Sequence, residues 1–396
     1  MGNAVPDCGM PFRFLLAASQ ANLLSGPRYA ECMLTPRFSS SLLALVLLAT
    51  LIGISRPGSA QPSKSTWTFA VSGDSRNCGD FVMPAIASKV KSENDAFYWH
   101  LGDFRWMSSP DQDLLSMLPA GTQLAKPDYE QRAWDDFLQH QMAAFGSFPV
   151  FLGRGNHENV PPMTRDGYIA KFSSFLKRPE IEAQRKTDGN GLALQVWYHW
   201  KTKGVDFITL DNASREEFSD AQLHWLRSVL DRDLAVNSGI RSIVVGMHEA
   251  LPHSSSFNHA MDDWDLGMRS GEQVYQWLFD AQNTGKHVYI IASHSHYYAP
   301  NIYSTPYWQQ QNKVVPGWII GLAGAHRYNL PAVTAPGSRT NIYGYMQGTV
   351  RTDGTIDFAL HELSENDLLQ AKWPNASAAA IHECVVGNSD SADGKK

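Results

Sequence analysis

Short apolar runs recur along the chain, and each of them ends at a glycine, aspartate, asparagine or histidine. Runs of this length with such endings are typical of buried β-strands. They predict strands at residues 67–71, 96–101, 149–152, 205–210, 243–246 and 287–292. Between several of these strands, apolar residues are spaced as on one face of a helix, at 81–92, 134–145, 220–231 and 271–283. Strands that alternate with helices predict an α/β sheet.

The pattern changes in the C-terminal part of the chain, where apolar runs at 318–322, 343–351 and 355–360 have no helix between them. An Asp-Gly pair joins the last two runs and is a strong signal for a hairpin turn. We therefore expect antiparallel strands here that form a second sheet. Residues 376–396 are mostly small and polar, with charges at the end, and this composition predicts a flexible tail.

An uncharged apolar run at 42–54 follows Arg37 and precedes small residues at 58–60 that resemble a signal-peptidase site. A helix that crosses a ~30 Å hydrocarbon core needs about 20 apolar residues, and this run is shorter. We therefore predict a cleaved export signal at 33–60 and a periplasmic or secreted protein, with a retained membrane anchor as the less favoured alternative. Residues 1–32 fit neither a signal nor a periodic domain, and we expect an N-terminal extension there.

Cleavage of this signal would leave two cysteines, Cys78 and Cys384, in the mature chain. In an oxidising compartment they could form a disulfide. They could equally remain free thiols, because the sequence does not fix the Cα separation that a disulfide requires. Both possibilities stay open at this point.

Five of the predicted strands end in residue types that bind metal ions. The motifs are Gly73-Asp74-Ser75-Arg76, Gly102-Asp103, Gly155-Asn156-His157-Glu158, Gly246-Met247-His248-Glu249 and Ser293-His294-Ser295-His296. Ligands of open α/β sheets bind outside the carboxyl ends of the strands, so residues far apart in sequence meet there. Carboxylates, an amide oxygen and imidazoles together suit Mn, Zn or Fe better than Mg or Ca. Asp103 is the natural bridge between two cations, because a carboxylate can offer one oxygen to each.

The order of these motifs resembles that of the calcineurin-like metallophosphoesterases, the superfamily that includes the purple acid phosphatases. The family pattern is Asp-x-His, Gly-Asp, Gly-Asn-His-Asp/Glu, a strand-end histidine and Gly-His-x-His, and the likeness runs from about residue 66 to residue 360. It implies a four-layer αββα sandwich of two mixed β-sheets flanked by helices, within a catalytic domain at 61–375. It also implies a dinuclear centre with two divalent or trivalent transition metals, Mn, Zn or Fe.

The same resemblance implies a role for each strand-end residue. The bridging ligand would be Asp103, the other ligands of one metal would be Asn156, His248 and His294, and those of the other metal would be Asp74 and His296. His157 resembles the family's catalytic histidine, which contacts the substrate phosphate and protonates the leaving oxygen. Glu158 would orient the ring of His157. Arg76 and His253 would steady the phosphoryl oxygens.

The chain departs from the family pattern on the Asp74 and His296 side. Arg76 stands where the family has a histidine ligand, and arginine stays protonated and cannot bind a cation. Purple acid phosphatases also lack that histidine and use a tyrosine where this chain has Trp106. We expect a weakly held, water-rich metal on this side, with an empty subsite or a ligand from elsewhere as alternatives. Arg76 would either clamp a phosphate or form an ion pair with Asp74 or Asp80.

Together these residues predict a metallophosphoesterase that hydrolyses a phosphate ester through a metal-bound hydroxide. We expect a small phosphomonoester or phosphodiester as substrate, because a formal charge of −6 does not suit a nucleic-acid surface. The alternative is a phosphoester-binding protein on the same fold that has lost turnover through the arginine substitution. A metallopeptidase is disfavoured, because His248-Glu249 does not continue as the His-Glu-x-x-His motif.

Overall fold

Two mixed β-sheets lie at the centre of the protein, whose computed structural model describes residues 66–119, 121–189, 193–213, 217–256, 259–371 and 376–390. In chain order the strands are β1 (Trp67–Ser72), β2 (Tyr98–His100), β3 (Val150–Leu152), β4 (Tyr198–Thr202), β5 (Val205–Thr209), β6 (Ser242–Gly246), β7 (His287–Ala292), β8 (Tyr298–Pro300), β9 (Gly317–Ile320), β10 (Tyr343–Val350) and β11 (Ile356–Leu363). The first sheet has the order β11-β10-β1-β2-β3, and the second has the order β4-β5-β6-β7-β9-β8. The predicted extension and export signal, residues 1–60, lie outside the described residues.

Helices connect the strands and cover the sheets. They are α1 (Gly79–Ser92), α2 (Gln112–Ser116), α3 (Lys126–Asp136), α4 (Arg165–Lys171), α5 (Ser173–Leu176), α6 (Pro179–Asp188), α7 (Asp220–Leu234), α8 (Asp265–Asn283), α9 (Pro306–Gln310), α10 (Glu365–Ala371) and α11 (Ala378–Gly387). Some begin at a side-chain cap: the Ser219 hydroxyl accepts the backbone N–H of Gln222 at the start of α7. Within the described ranges, no helix has both the length and the apolar character to span a membrane.

Alternation along the strands sorts the apolar side chains into three layers. Phe69 of β1 faces the second sheet and packs edge-on against Phe207 of β5, with ring centroids 4.9 Å apart. Ala70, its neighbour in sequence, faces the other way, into the cluster that contains the apolar side of α1. On β6, Val244 lies between the sheets, whereas Ile243 packs in the cluster formed with α7 and α8. The predicted four-layer αββα sandwich is confirmed.

The C-terminal strands were expected to form a second sheet of their own, and this prediction is wrong. Strands β10 and β11 form the predicted hairpin, but β10 pairs antiparallel with β1, with Trp67 opposite Val350, and so extends the first sheet. Strand β9 pairs parallel with β7 in the second sheet. An apolar run specifies that a strand is buried but does not specify its partner, and this is why the expectation was wrong.

The C-terminal segment is also more ordered than its composition predicts. Residues 378–387 form α11, which starts at Ser377, whose hydroxyl accepts the backbone N–H of Ala380. A disulfide joins Cys384 of this helix to Cys78, with Cα atoms 6.0 Å apart. The prediction of a flexible tail is therefore wrong for residues 376–390, whereas residues 391–396 lie outside the described ranges.

Replacing Cys78 and Cys384 together with alanine is expected to lower the free energy of unfolding by about 2–4 kcal/mol. The bond closes a loop with a sequence separation of 306, so its loss enlarges the entropy of the unfolded chain. Urea unfolding with and without a reductant measures the effect. Reductant should destabilise the wild-type protein and leave the variant unchanged; equal stability of the two proteins under oxidising conditions would contradict the prediction.

Candidate metal centre

The turns that follow β1, β2, β3, β6 and β7 bring the predicted ligands to one edge of the two sheets. Asp74, Asp103 and His294 adopt positive φ values of 62°, 60° and 63°. Such φ values are uncommon for residues other than glycine and are concentrated at functional sites. The close approach also requires Gly155, because a Cβ atom there would lie 2.3 Å from the Asp103 Oδ1 atom. The glycine of the Gly-Asn-His motif therefore gives the Asp103 carboxylate its space.

Groups that can act as metal ligands converge at this edge. One ligand atom from each of Asp74, Asp103, His248 and His294 lies within 4.8 Å of all the others. The terminal amide of Asn156 places one atom 3.1 Å and 3.2 Å from the two Asp103 carboxylate oxygens, 2.9 Å from His248 Nε2 and 3.1 Å from His294 Nδ1. With the amide oxygen at that point, every group in the cluster can offer a lone pair to the same small space once His248 has lost its proton. Carboxylate, amide and imidazole donors arranged in this way fit a transition-metal cation.

Backbone contacts fix the direction of the imidazole and carboxylate groups. The Nδ1–H of His248 donates to the carbonyl of Leu101 at 3.0 Å, so its Nε2 atom faces the cluster. Asp74 Oδ2 accepts the backbone N–H of His294 at 2.9 Å. Asp74 Oδ1 is buried and, among the described residues, has no hydrogen-bond donor. An unpaired buried carboxylate oxygen is costly, and a bound cation would satisfy it.

Burial and neighbouring charges set the protonation of the cluster. Burial raises the pKa of Asp103, but the nearby His248, His157 and Arg76 outweigh it and hold this pKa well below its usual range. Burial, with His248 next, lowers the pKa of His294 well below its usual range. Burial lowers the pKa of His248, but the Asp103 carboxylate outweighs it and raises this pKa to about 10. A cation bound between Asp103 and His248 would displace that proton, as metal binding to imidazole generally does.

Arg76 lies inside the cluster rather than at its rim. Its Nη1 atom donates to His157 Nε2 at 2.7 Å, and its Nη2 atom donates to His296 Nε2 at 3.0 Å and to the Tyr328 hydroxyl at 3.1 Å. Its Nε atom is 3.9 Å from Asp103 Oδ2. The ion pair considered with Asp74 or Asp80 does not form: the carboxylate near the guanidinium is that of Asp103.

The predicted pairing of Glu158 with His157 is also wrong. The Glu158 carboxylate accepts three backbone N–H groups, from Asp103 at 2.8 Å, Phe104 at 2.9 Å and Gly155 at 2.7 Å. It therefore fixes the turn that carries Asp103. The Nδ1–H of His157 donates instead to the backbone carbonyl of Trp106. Burial, with the Arg76 charge adding to it and Asp103 opposing it, lowers the pKa of His157 to about 4.

The structure does not bring His253 into the cluster. Its Nε2 atom is 2.6 Å from Glu272 Oε1, and its ring stacks on Tyr307 with centroids 3.5 Å apart. Two residues that no motif predicted, His259 and Tyr328, lie at the site instead. The ring of His259 is 5.0 Å from that of His294, and Tyr328 stacks on His296 at 4.0 Å. Neither residue belongs to a strand-end motif, so the motif pattern contained no signal for them.

A cavity of about 570 Å³ opens beside Arg76. The aromatic side chains of Trp106 and Tyr328 line it, together with Gly387 at the end of α11 and the adjacent Asn388. The disulfide therefore also holds one wall of this cavity, because it attaches α11 to the turn that follows Arg76. A molecule in the cavity would meet the guanidinium of Arg76 at one end.

The two-sheet fold expected from the resemblance to the calcineurin-like metallophosphoesterases is thus confirmed. No protein-family model matches the sequence, and a search of curated proteins found no match. Among solved structures, the chain is similar to a purple acid phosphatase from yellow lupin seeds (14% identity, 79% of this chain and 57% of that chain, TM-score 0.47). It thus spans little more than half of the lupin chain.

Two further solved structures share the likeness. One is a dimetal phosphatase from Danio rerio, with 14% identity over 75% of this chain and 99% of that chain and a TM-score of 0.45. The other is GAP50, the anchor in the inner membrane complex of Plasmodium, with 13% identity over 80% of this chain and 95% of that chain and a TM-score of 0.41.

Proposed function

We propose that the protein is a metal-dependent hydrolase that cleaves phosphate esters. The observation that carries this proposal is the convergence of buried and half-buried ligand groups from separate strand ends, next to a guanidinium and a cavity. The proposed ligands are Asp74, Asp103, Asn156, His248 and His294. A cation held there would act as a Lewis acid, lowering the pKa of water and neutralising charge on the phosphoryl group.

The chain's own residues would bind and orient the ester. The fixed positive charge of Arg76 borders the cavity and favours an anionic substrate, and the planar guanidinium suits phosphoryl oxygens. Trp106 and Tyr328 would contact the leaving group. His157 has both ring nitrogens engaged, by the Trp106 carbonyl and by Arg76, so it positions Arg76 in this arrangement. The general-acid role expected for His157 requires its Nε2 atom to be released from Arg76.

A second candidate is a protein that binds phosphate esters without turning them over. The contact between Arg76 and His296 favours it, because that contact engages one of the ligands expected for a dinuclear centre. The cavity and the positive charge would serve binding equally well. Turnover therefore separates the two candidates, and fold alone does not.

The test is a panel of aryl phosphomonoesters and phosphodiesters assayed after chelation and after addition of Mn²⁺, Zn²⁺ or Fe²⁺. We expect the chelated protein to be inactive and at least one metal to restore hydrolysis. A protein that binds metal and an aryl phosphate but shows no turnover would favour the binding candidate. A protein that binds no metal would contradict the proposed metal-dependent hydrolase.

We also propose that the protein is exported. The disulfide between Cys78 and Cys384 supports this proposal, because such bonds persist in oxidising compartments and are rare in the cytosol. N-terminal sequencing of the mature protein tests it. A mature chain that starts near residue 61 is expected, and one that retains residues 33–60 would indicate an anchor.

A further inference from the structure

We infer that the guanidinium of Arg76 takes the place of the second metal ion, so that the centre combines one bound cation with one fixed positive charge. The inference rests on the proposed metal-dependent function. It differs from a dinuclear centre and from a centre with an empty subsite, since the second position is filled by a side chain.

The first argument concerns the lone pair of His296. Its Nδ1–H donates to the backbone carbonyl of His326, so only Nε2 can act as an acceptor or a metal ligand. Arginine has donors and no acceptor, so the 3.0 Å contact between Arg76 Nη2 and His296 Nε2 engages this lone pair. A nitrogen that accepts this hydrogen bond cannot bind a metal ion at the same time. The residues on this side therefore do not fit a second cation.

The second argument concerns the surroundings of the guanidinium. Arg76 is only 8% exposed, and it reaches the Nε2 atoms of both His157 and His296, with the Asp103 carboxylate behind its Nε atom. Two of these acceptors, His296 and Asp103, are groups expected to bind the second cation of a dinuclear centre. Tyr328 accepts a further hydrogen bond from Arg76 and stacks on the ring of His296, which holds that ring in place. The site is thus built around a guanidinium, and a loose surface arginine would not have these contacts.

The third argument concerns Asp74, which would have been a ligand of the second metal. Its ligand atom belongs to the same compact group as those of Asp103, His248 and His294, all within 4.8 Å of one another, whereas His296 is not in that group. No ion pair between Asp74 and Arg76 is found within 4.0 Å in the described part of the chain. His296 Nε2 lies 3.3 Å from Asp74 Oδ1, but the proton of this ring is on Nδ1, so Nε2 donates no hydrogen bond to Asp74. Asp74 is therefore available to the one remaining cation.

The test is the number of metal ions per chain, measured by elemental mass spectrometry after loading with Mn²⁺ and desalting. We expect one ion in the wild-type protein and two in Arg76→His. The substitution removes the guanidinium that donates to His296. It also adds an imidazole at the position where the calcineurin-like metallophosphoesterases have a histidine ligand. Adding His296→Ala to Arg76→His should return the count to one, whereas His296→Ala alone should leave it at one.

Arg76→Ala is the second variant, in case the new histidine disturbs the fold. It frees His296 and His157 without adding a ligand, so a calorimetric Mn²⁺ titration is expected to show a second site, at least tenfold weaker than the first. Arg339→His is the matched control: Arg339 is exposed and pairs with Glu362, and the count should stay at one.

The outcomes separate this inference from the proposed function. Two tightly held ions in the wild-type protein would overturn the inference while leaving a metal-dependent function intact. A folded Arg76→His variant with one ion, together with an Arg76→Ala titration that shows a single site, would overturn it as well. A wild-type protein that holds no Mn²⁺ would instead remove the proposed function, and the inference with it.

Discussion

Replacing His248 with alanine is expected to abolish stable metal binding and to reduce kcat/KM to background, with the protein still folded. The variant removes a nitrogen that lies 3.0 Å from His294 Nδ1 and 3.3 Å from Asp103 Oδ1, at the centre of the ligand cluster. Loss of a group that merely orients a ligand typically costs about 10–100-fold in metal affinity. Loss of the ligand itself should cost more. Metal content and phosphoesterase rate measure the two effects, and circular dichroism checks the fold.

His224→Ala is the matched control for this variant. His224 lies on the exposed face of α7, away from the strand-end turns, so the metal content and the rate should both equal those of the wild-type protein. A His248→Ala protein that keeps its metal and more than a tenth of the wild-type rate would show that the cluster is not the catalytic centre. Equal losses in both variants would point to a general effect of removing histidines.

The candidate site could be predicted because its residues follow buried strands closely. Asp74, His248 and His294 each lie two residues beyond the end of their strand, so locating the strand also locates the side chain. Asp103 and Asn156 follow β2 and β3 by three and four residues. Since neighbouring parallel strands end at the same edge of a sheet, this spacing groups Asp74, Asp103 and Asn156 at the edge of the first sheet and His248 and His294 at the edge of the second. The packing of the two sheets then brings these edges together.

The features that the sequence did not predict depend on partners distant in the chain. Arg76 contacts His296 and Tyr328, which are 220 and 252 residues away, and no local pattern indicates those contacts. The pairing of β10 with β1 and the bond between α11 and the α1 region are of the same kind. Glu158 illustrates a subtler limit. The motif placed it beside His157, but its carboxylate instead accepts hydrogen bonds from three backbone N–H groups in the adjacent turns.

A buried cluster of charged side chains around Arg105 lies next to the turn that carries Asp103. Arg105 is fully buried, and its guanidinium contacts Asp80, Asp136, Asp113 (3.1 Å) and Asp111 (3.7 Å). These aspartates belong to α1, α3 and the α2 region, so one side chain joins three segments. Arg105 also follows Asp103 by two residues and precedes Trp106, whose carbonyl holds His157. The cluster therefore fixes the turn that carries the central carboxylate of the proposed metal centre.

Replacing Arg105 with methionine is expected to lower the free energy of unfolding at pH 7 by about 3–5 kcal/mol, the usual cost of leaving buried charges without their partner. Burial, with Asp80 next, raises the pKa of Asp113 well above its usual range even with Arg105 present. A carboxyl group whose pKa is higher in the folded than in the unfolded protein favours folding at low pH, and this contribution is lost as the pH rises through the folded-state pKa. Without Arg105, more of these aspartates should have a raised pKa in the folded protein. The difference in the free energy of unfolding between the wild-type protein and the variant should therefore shrink as the pH falls from 7 to 5.

Urea unfolding of both proteins across this pH range measures this difference, and Arg351→Met is the matched control. Arg351 forms an exposed ion pair with Asp357, so its loss should cost less than about 1 kcal/mol, with no comparable trend with pH. An Arg105→Met protein as stable as the control variant would contradict the prediction, because it would show that the four carboxyl groups gain no net stability from the guanidinium.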